Sequence, residues 1–398
     1  MASARFKPED ELWGSTKVTL QTVTSVHGIE RLEADYAQLS RVTGEALPFC
    51  QHAWHASWCR HFLNCDPRIE EAPLFHILRN ARQECVAILP LIVSRRRLGP
   101  LKVVSVSSLG ADPAITEIRT PLILKGYETL TAHTARESLR KVADLDWINW
   151  CGVTGGFASA LDAGANLHWE APVSDFVLDL PPSWEEFRSG LKRNIRESLR
   201  HCYNSLARSG HSYELEVIER PQDVQQALSR FLQLHRMRAA CRRGVAHPDR
   251  FASPVSRDFL FTVCERLAAE GSLRLFALKI GADTVAMRIG FVVRGALYLY
   301  YSGFDPKWWS FSVMTTTMAE AVKYAIGQGL RTVNLSPAKD IAKTRWGPRQ
   351  IDYGSAYEIH DSLRSRLANS AYLRIKSGQG SNILRRFLTP HRWNGPPG

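Results

Sequence analysis

Two stretches of the chain repeat the same order of strand signals, and this repetition constrains the fold more than any other feature of the sequence. Apolar, β-branched runs occupy 74–78, 86–93 and 103–109, and again 273–280, 285–293 and 296–302. In both stretches the third run is followed by similar residues, Gly110-Ala111-Asp112-Pro113 and Gly303-Phe304-Asp305-Pro306. A helical pattern (129–142; 312–328) and a short strand (146–150; 332–335) follow each time. Five matched elements in one order favour a duplication over a chance likeness of two β-meanders.

The length of the chain agrees with a duplication. Its 398 residues exceed the roughly 250–300 residues at which a single core stops growing. We therefore predict an α/β (α+β) fold of two tandem modules, each with a mixed central sheet flanked by helices. The predicted divisions are an N-terminal extension (1–25), a first module (26–180), a second module (181–360) and a basic C-terminal tail (361–398).

The balance of charge predicts a polyanionic partner. Lys and Arg number 51 against 39 Asp and Glu, a formal net charge of +12. The segment 188–208 has six basic residues and one acid, and a second basic helix is predicted at 228–243. Residues 362–398 hold seven Lys and Arg and no acid, with apolar residues at helical spacing, a pattern typical of an amphipathic helix on an anionic membrane surface. Docking of the tail on the second module is the alternative.

Cysteine usage and hydropathy limit the compartment and the cofactors. The eight cysteines are scattered singly, without a CxxC pair or a His at metal-ligand spacing, so we expect neither a metal site nor a disulfide framework. The N-terminus lacks the apolar stretch of a signal peptide, and the longest apolar run, 86–93, is far below the roughly 20 residues that span a bilayer. We expect a cytoplasmic protein, peripheral on the inner face of the membrane if the tail binds lipid.

A strand-loop-helix unit in the second module is a candidate phosphate site. The strand at 296–302 is followed by Gly303-Phe304-Asp305-Pro306 and by Ser310 and Ser312, which open a helix. A helix N-terminus offers free N–H groups and a positive dipole end to a pyrophosphate. The loop lacks the glycines of a nucleotide-binding fingerprint, which argues against NTP and NAD. In the alternative, Ser312 only caps a core helix.

A polar segment follows the last strand of the repeat. It contains Ser336, Lys339, Lys343, Arg345 and Trp346, in the place where α/β folds usually bind ligands. Lys339 and Lys343 have helical spacing and could neutralise phosphates or polarise a carbonyl. A solvated basic loop is the alternative.

These segments together resemble a known family. The motifs are Lys192-Arg193-Asn194-Ile195-Arg196, the run Leu234 to Arg238, the run Leu297 to Trp308, and Lys343-Thr344-Arg345-Trp346. Their order is similar to that of CelD-like acetyltransferases of the GNAT superfamily, which occur beside cellulose and exopolysaccharide genes. The resemblance covers 26–359 and is strongest over 191–348. It implies a FemAB-like pair of GNAT modules, the first of them degenerate, that transfers an acyl group from acyl-CoA or an acyl carrier protein to an amine.

Acyl transfer to an amine requires a base and an oxyanion donor. Asp305 and His235 are the candidate bases, although Asp305 could instead form a turn and His235 could be a core histidine. A backbone N–H at a strand bulge, Tyr301 or Lys343 could stabilise the oxyanion. Candidate donor-binding residues are Arg193, Asn194, Arg196, Arg238, Ser310, Ser312, Ser336, Lys339, Arg345 and Trp346.

The leading hypothesis is an N-acyltransferase acting on an amine of a cell-envelope precursor, either an exopolysaccharide amino sugar or a long-chain lipid amine. One alternative is a FemAB-type aminoacyl-tRNA-dependent ligase. It is less favoured because the coiled-coil insertion of that family is absent between the modules, which makes nucleic acid the least favoured polyanion. The other alternative is a non-catalytic, membrane-associated component of a polysaccharide synthase.

Overall fold

The computed structural model describes residues 18–98, 101–110, 115–163, 167–243, 246–337 and 340–376. The strands are β1 (Thr19–Val23), β2 (Ile69–Arg79), β3 (Cys85–Leu98), β4 (Leu101–Ser108), β5 (Leu122–Ile123), β6 (Leu145–Val153), β7 (Leu167–Trp169), β8 (Val173–Asp179), β9 (Tyr213–Ile218), β10 (Leu273–Ile280), β11 (Asp283–Val293), β12 (Ala296–Phe304), β13 (Thr332–Asn334) and β14 (Arg349–Ile359). The helices are α1 (Val26–Glu30), α2 (Glu33–Thr43), α3 (His52–Phe62), α4 (Glu128–Leu139), α5 (Gly155–Asp162), α6 (Trp184–Gly190), α7 (Arg193–Arg208), α8 (Pro221–Ala240), α9 (Pro254–Ala269), α10 (Val313–Gly327), α11 (Ile341–Thr344) and α12 (Leu363–Lys376).

The sheet repeats itself as the sequence predicts. Its order is β1-β2-β3-β4-β6-β14-β8-β13-β12-β11-β10-β9. In each half, four antiparallel strands (β1–β4; β9–β12) are followed by a parallel step, β4 to β6 and β12 to β13. The predicted α/β fold of two tandem modules, each a mixed sheet flanked by helices, is confirmed.

Strand β14, which the sequence analysis did not identify, joins the two halves. Its first part, Arg349 to Tyr353, pairs with β8, and its last part, Gly354 to Ile359, pairs with β6. The two module sheets are therefore one continuous hydrogen-bonded sheet. Strand β8 precedes the predicted boundary at residue 180 and nevertheless pairs with β13. The module boundaries themselves stay a prediction.

The sequence predicts one basic helix at 188–208, and the structure corrects this prediction. The chain forms two helices there, α6 and α7, because Leu191 and Lys192 adopt extended ψ angles of 148°. Ser183 caps α6 by accepting a hydrogen bond from the Glu186 N–H at 3.1 Å.

The largest core lies between the halves. Trp54 of α3 packs edge-on against Phe259 of α9, with ring centroids 5.2 Å apart. Phe49 contacts Tyr298 of β12 at 5.1 Å in the same way. These rings are almost completely buried, so helices of the first half cover strands of the second.

Helix α8 crosses β12 closely enough to require a glycine. A Cβ atom on Gly303 would lie 2.3 Å from the His235 backbone nitrogen. This approach places His235 and Arg238 beside the end of β12.

The beginning of the C-terminal tail forms α12, which packs on the first half. Ser365 donates a hydrogen bond to buried Asp146 of β6 at 3.0 Å, and Ala368 is buried. The described part of α12 therefore packs mainly on β6 of the first module and also contacts β14, which lies in the predicted second module. Leu363 and Leu367 are 75% and 63% exposed. Residues 377–398 lie outside the described residues, as do 1–17, the predicted turn at 111–113, Ala338 and Lys339.

Candidate functional site

The candidate site lies where β12 and β13 separate. The two strands pair in parallel from Ala296–Thr332 to Tyr298–Asn334, where β13 ends and β12 continues to Phe304. We call the opening beyond Tyr298 and Asn334 the central cleft. Within the described ranges, no strand pairs with β12 on this side beyond Tyr298, so a ligand could bind along this part of the strand edge.

A β-bulge interrupts β12 at the mouth of the cleft. The register with β11 runs Arg288–Ser302 and then Gly290–Leu299, so two residues of β12, Tyr300 and Tyr301, face one residue of β11. The sequence analysis expected an oxyanion donor at a bulge, with Tyr301 or Lys343 as side chains that could help. Its ring packs on Phe251, with centroids 5.4 Å apart.

A carboxylate from the first half reaches the cleft. Glu117 accepts a hydrogen bond from the Tyr298 hydroxyl at 2.7 Å, and the Tyr300 hydroxyl donates to the Ile115 carbonyl at 2.6 Å. Burial raises the pKa of Glu117 to about 7, against the lowering effect of the Tyr298 hydrogen bond. A carboxyl group with a pKa near neutrality suits proton transfer.

The sequence analysis did not identify Glu117, although one signal was present. A single acid lies between Ile115 and Ile118, and both isoleucines are buried. An acid within such an apolar stretch is a candidate for burial. The partner of this acid, Tyr298, lies on a strand 181 residues further along the chain.

A second carboxylate, Asp175 of β8, lies at the base of the cleft. It is fully buried and accepts hydrogen bonds from Asn334 Nδ2 at 2.5 Å and from the Phe176 N–H at 3.1 Å. Burial raises the pKa of Asp175 to about 6. Asn334 in turn accepts a hydrogen bond from the Ser336 N–H at 2.8 Å.

Lys343 supplies positive charge beside both carboxylates. Its Nζ donates to the Ser336 hydroxyl at 3.0 Å and to the Ser336 and Pro337 carbonyls. Its charge lowers the pKa values of Glu117 and Asp175 against the larger effect of burial. Burial lowers the pKa of Lys343 itself. The structure thus brings together two of the candidate residues, Lys343 and Ser336.

His235 and Asp305 make contacts that favour the structural alternatives. His235 Nδ1 donates to the Ser302 carbonyl at 2.9 Å, and Nε2 accepts from the Arg250 N–H at 3.3 Å. Burial lowers the pKa of His235. Asp305 accepts a hydrogen bond from the Lys307 N–H at 3.0 Å, as in a turn. We therefore consider Glu117 a better base than either.

Two of the candidate donor-binding residues meet near the start of α10. Ser312, with φ of 52°, directly precedes the helix, and Arg345 donates a hydrogen bond to Thr315 Oγ1 at 3.0 Å. Arg345 Nε is buried and has no hydrogen-bond partner among the described residues. Trp346 is buried against Phe187 and belongs to the core. Ser310 is exposed in the 3-10 turn before Ser312.

The basic face of α7 forms a separate groove. Arg193, Asn194 and Arg196 are exposed, and no described contact joins them to Lys343 or Glu117. Arg193 pairs with Glu197 at 2.6 Å. The groove, here called the basic groove, has a volume of about 950 Å³. Its lining comprises Trp184, Glu185, Arg188, Ser189, Arg193, Arg196, Glu197, Leu199, Arg200, Tyr203, Asn204, Tyr213 and Lys323.

Within the described ranges, no group of three or more His, Cys, Asp or Glu side chains is placed to hold a metal ion. Of the helices in the described part of the chain, none is long and apolar enough to cross a membrane.

Comparison with known proteins supports the prediction of a transferase. Residues 193–344 match the acetyltransferase (GNAT) domain family, and GNAT domains in general use acyl-CoA as co-substrate. No curated protein sequence matches the chain.

Solved structures share the fold at low sequence identity. FemX is 9% identical, covers 84% of this chain and 98% of its own, and has a TM-score of 0.57. A conserved protein of unknown function from Bacteroides thetaiotaomicron is 13% identical over 82% of this chain and 97% of its own, with a TM-score of 0.52. The C-terminal domain of a protein named as a lysylphosphatidylglycerol synthetase, from Agrobacterium fabrum, is 12% identical over 89% and 99%, with a TM-score of 0.50.

Proposed function

We propose that the chain is an N-acyltransferase that moves an acyl group from acyl-CoA, or from an acyl carrier protein, to an amine of a cell-envelope precursor. The observation that carries the proposal is the Glu117 carboxylate, held by Tyr298 at 2.7 Å where β12 and β13 separate. The GNAT match over 193–344 supports the reaction class.

In the proposed reaction, Glu117 accepts a proton from the acceptor amine as its nitrogen attacks the thioester carbonyl. Backbone N–H groups at the Tyr300–Tyr301 bulge and the Lys343 ammonium stabilise the oxyanion. The new C–N bond forms as the C–S bond breaks. The proton that Glu117 accepts ends on the departing thiolate, so the products are an amide and a free thiol.

Acyl-CoA supplies the activated carbonyl, and the start of α10 is the proposed place for its phosphates. The unpartnered, buried Nε of Arg345 fits an anionic ligand there. Ser312 lies at the same helix end.

Two features bear on the identity of the acceptor. The resemblance to CelD-like enzymes favours an exopolysaccharide amino sugar. The exposed leucines of α12 and the basic residues beyond it favour a lipid amine at the inner face of the cytoplasmic membrane.

The test is release of free thiol when purified protein meets acyl-CoA and a panel of amines. We expect Glu117→Gln to lower kcat/KM about 10²–10³-fold, and Glu137→Gln, an exposed acid on α4, to leave it unchanged. Absence of thiol release with every acceptor, together with no CoA binding by calorimetry, would contradict the proposal.

The basic groove supports a second candidate, aminoacyl transfer from tRNA. Five cationic side chains line it against two acids, so it could contact phosphates. Binding of tRNA whose log Kd depends steeply on log salt, and which weakens in Arg200→Glu, would favour this function. Salt-independent or undetectable binding would exclude it.

A further inference from the structure

Two arginines converge on one residue beside the bulge. Arg288 of β11 is paired directly with Ser302 of β12. Arg238 of α8 donates to Ser302 Oγ at 2.5 Å and to the Ser302 carbonyl at 3.3 Å. Directly paired residues have Cβ atoms only about 5 Å apart. The two guanidinium groups are also near enough to act on each other electrostatically.

Neither arginine has an ion-pair partner in the described part of the chain. Arg288 Nε is buried without a hydrogen bond, and its Nη1 has only a 4.0 Å contact with Met318 Sδ. Arg238 Nη2 contacts His247 Nε2 at 2.7 Å. By contrast, Arg136, also enclosed, is paired with Glu358 at 2.9 Å.

An enclosed arginine without an anion is costly, because little water replaces the missing partner. Burial lowers the pKa values of Arg238 and Arg288 to about 10. Glu117 and Asp340 are near enough to act on Arg288 electrostatically, but neither forms an ion pair with it. The arrangement fits a bound anion, which would accept hydrogen bonds from both guanidinium groups.

The position of this pair relative to Glu117 indicates which substrate carries the anion. The proposed donor phosphates have their own site at Ser312 and Arg345, whereas Arg288 lies within electrostatic range of Glu117. An acceptor whose amine reaches Glu117 would extend its neighbouring group towards Arg288.

We propose that Arg238 and Arg288 bind a carboxylate or phosphate group of the amine acceptor. The inference rests on the proposed function, since it describes the acceptor of that reaction. It limits acceptors to amines that carry an acid group, such as an amino acid, an amino-sugar phosphate or a phospholipid amine.

Matched acceptors test this specificity. With acyl-CoA, we compare glycine with glycinamide, and glucosamine 6-phosphate with glucosamine. We expect kcat/KM to be at least tenfold higher for the anionic member of one pair, and the pair that responds distinguishes carboxylate from phosphate. In Arg288→Met this advantage should fall below twofold. The control, Arg208→Met, removes an exposed charge from α7 and should keep the advantage. An advantage retained in Arg288→Met would overturn the inference.

Thermal unfolding with inorganic phosphate or acetate gives a readout that does not need transfer. The unfolding temperature of the wild type and of Arg208→Met should rise with one anion, whereas that of Arg288→Met should not. Without ligand, Arg288→Met should be no less stable than the wild type, because it removes an unpaired, enclosed charge. If it fails to fold, Arg288→Lys and Arg238→Lys replace it, since lysine keeps the charge but loses the forked geometry and should weaken the response.

The two readouts separate the two proposals. Anion stabilisation that depends on Arg288, without transfer to any amine, would support the anion site and contradict the acyltransferase function. Transfer without preference for anionic acceptors, together with equal stabilisation of wild type and Arg288→Met, would contradict the anion site and leave the function intact.

Discussion

At the scale of single residues, burial and the opposing hydrogen bond from Tyr298 together set the protonation of Glu117, the proposed base. The buried hydroxyl donates to the carboxylate at 2.7 Å and thereby lowers the pKa of Glu117, although burial still raises it to about 7 overall. Glu117 is mostly protonated below that pH and mostly ionised above it. The kcat/KM of the wild type should therefore rise as the pH increases through about 7.

Tyr298→Phe tests this relation. Loss of the hydroxyl removes a hydrogen bond that stabilises the carboxylate, so the pKa of Glu117 should rise further. We expect the rising limb of the pH–rate profile to move to higher pH by up to about one unit. Tyr203→Phe is the control, because its hydroxyl bonds Glu320 outside the cleft. An unchanged limb in Tyr298→Phe would mean that another group titrates in the wild-type profile.

At the scale of elements, the contact between α8 and β12 positions one wall of the cleft. Gly303 allows the backbones to approach, and Arg238 then reaches Ser302 across the same contact. The bulge at Tyr300–Tyr301 lies beside it on the same strand.

Gly303→Ala should separate these elements. The added Cβ would lie 2.3 Å from the His235 nitrogen, a backbone atom that no rotamer change can move away. We expect a loss of about 3 kcal/mol in the free energy of unfolding, measured by urea denaturation. Gly327→Ala in α10 is the matched control, because its Cβ would meet nothing within 4 Å, and it should gain roughly 0.5 kcal/mol. Equal effects of the two substitutions would contradict the close crossing.

At the scale of the whole molecule, the two halves share a sheet and a core. Strand β14 bonds to both halves, and Phe49 of the first half packs on Tyr298 of the second. Glu117 of the first half completes a cleft whose strands belong to the second. The first half is therefore part of the site, although the sequence analysis considered it a degenerate module.

We expect such a molecule to unfold in one transition. Phe49→Ala should lower the free energy of unfolding by about 3–5 kcal/mol and shift the whole calorimetric peak. Val42→Ala, at a position 59% exposed, should have little effect. Two separate peaks, of which Phe49→Ala moves only one, would show that the halves unfold independently.

The sequence by itself determined the repeated elements. Strands such as β10 and β13 and the helix α10 were predicted within one or two residues, because their periodicity is a local property of the chain. Lys343, Ser336 and Arg345 were named as candidates for the same reason, since polar residues after a strand are visible in the sequence.

Only the tertiary structure decided which residues face one another. The Glu117–Tyr298 bond, the convergence of Arg238 and Arg288 on Ser302, and the role of β14 each depend on the register of distant strands. His235 shows the same limit, because its suitability as a base depended on the backbone groups that occupy its two nitrogens. Local periodicity specifies elements, but long-range pairing and burial decide what a titratable side chain can do.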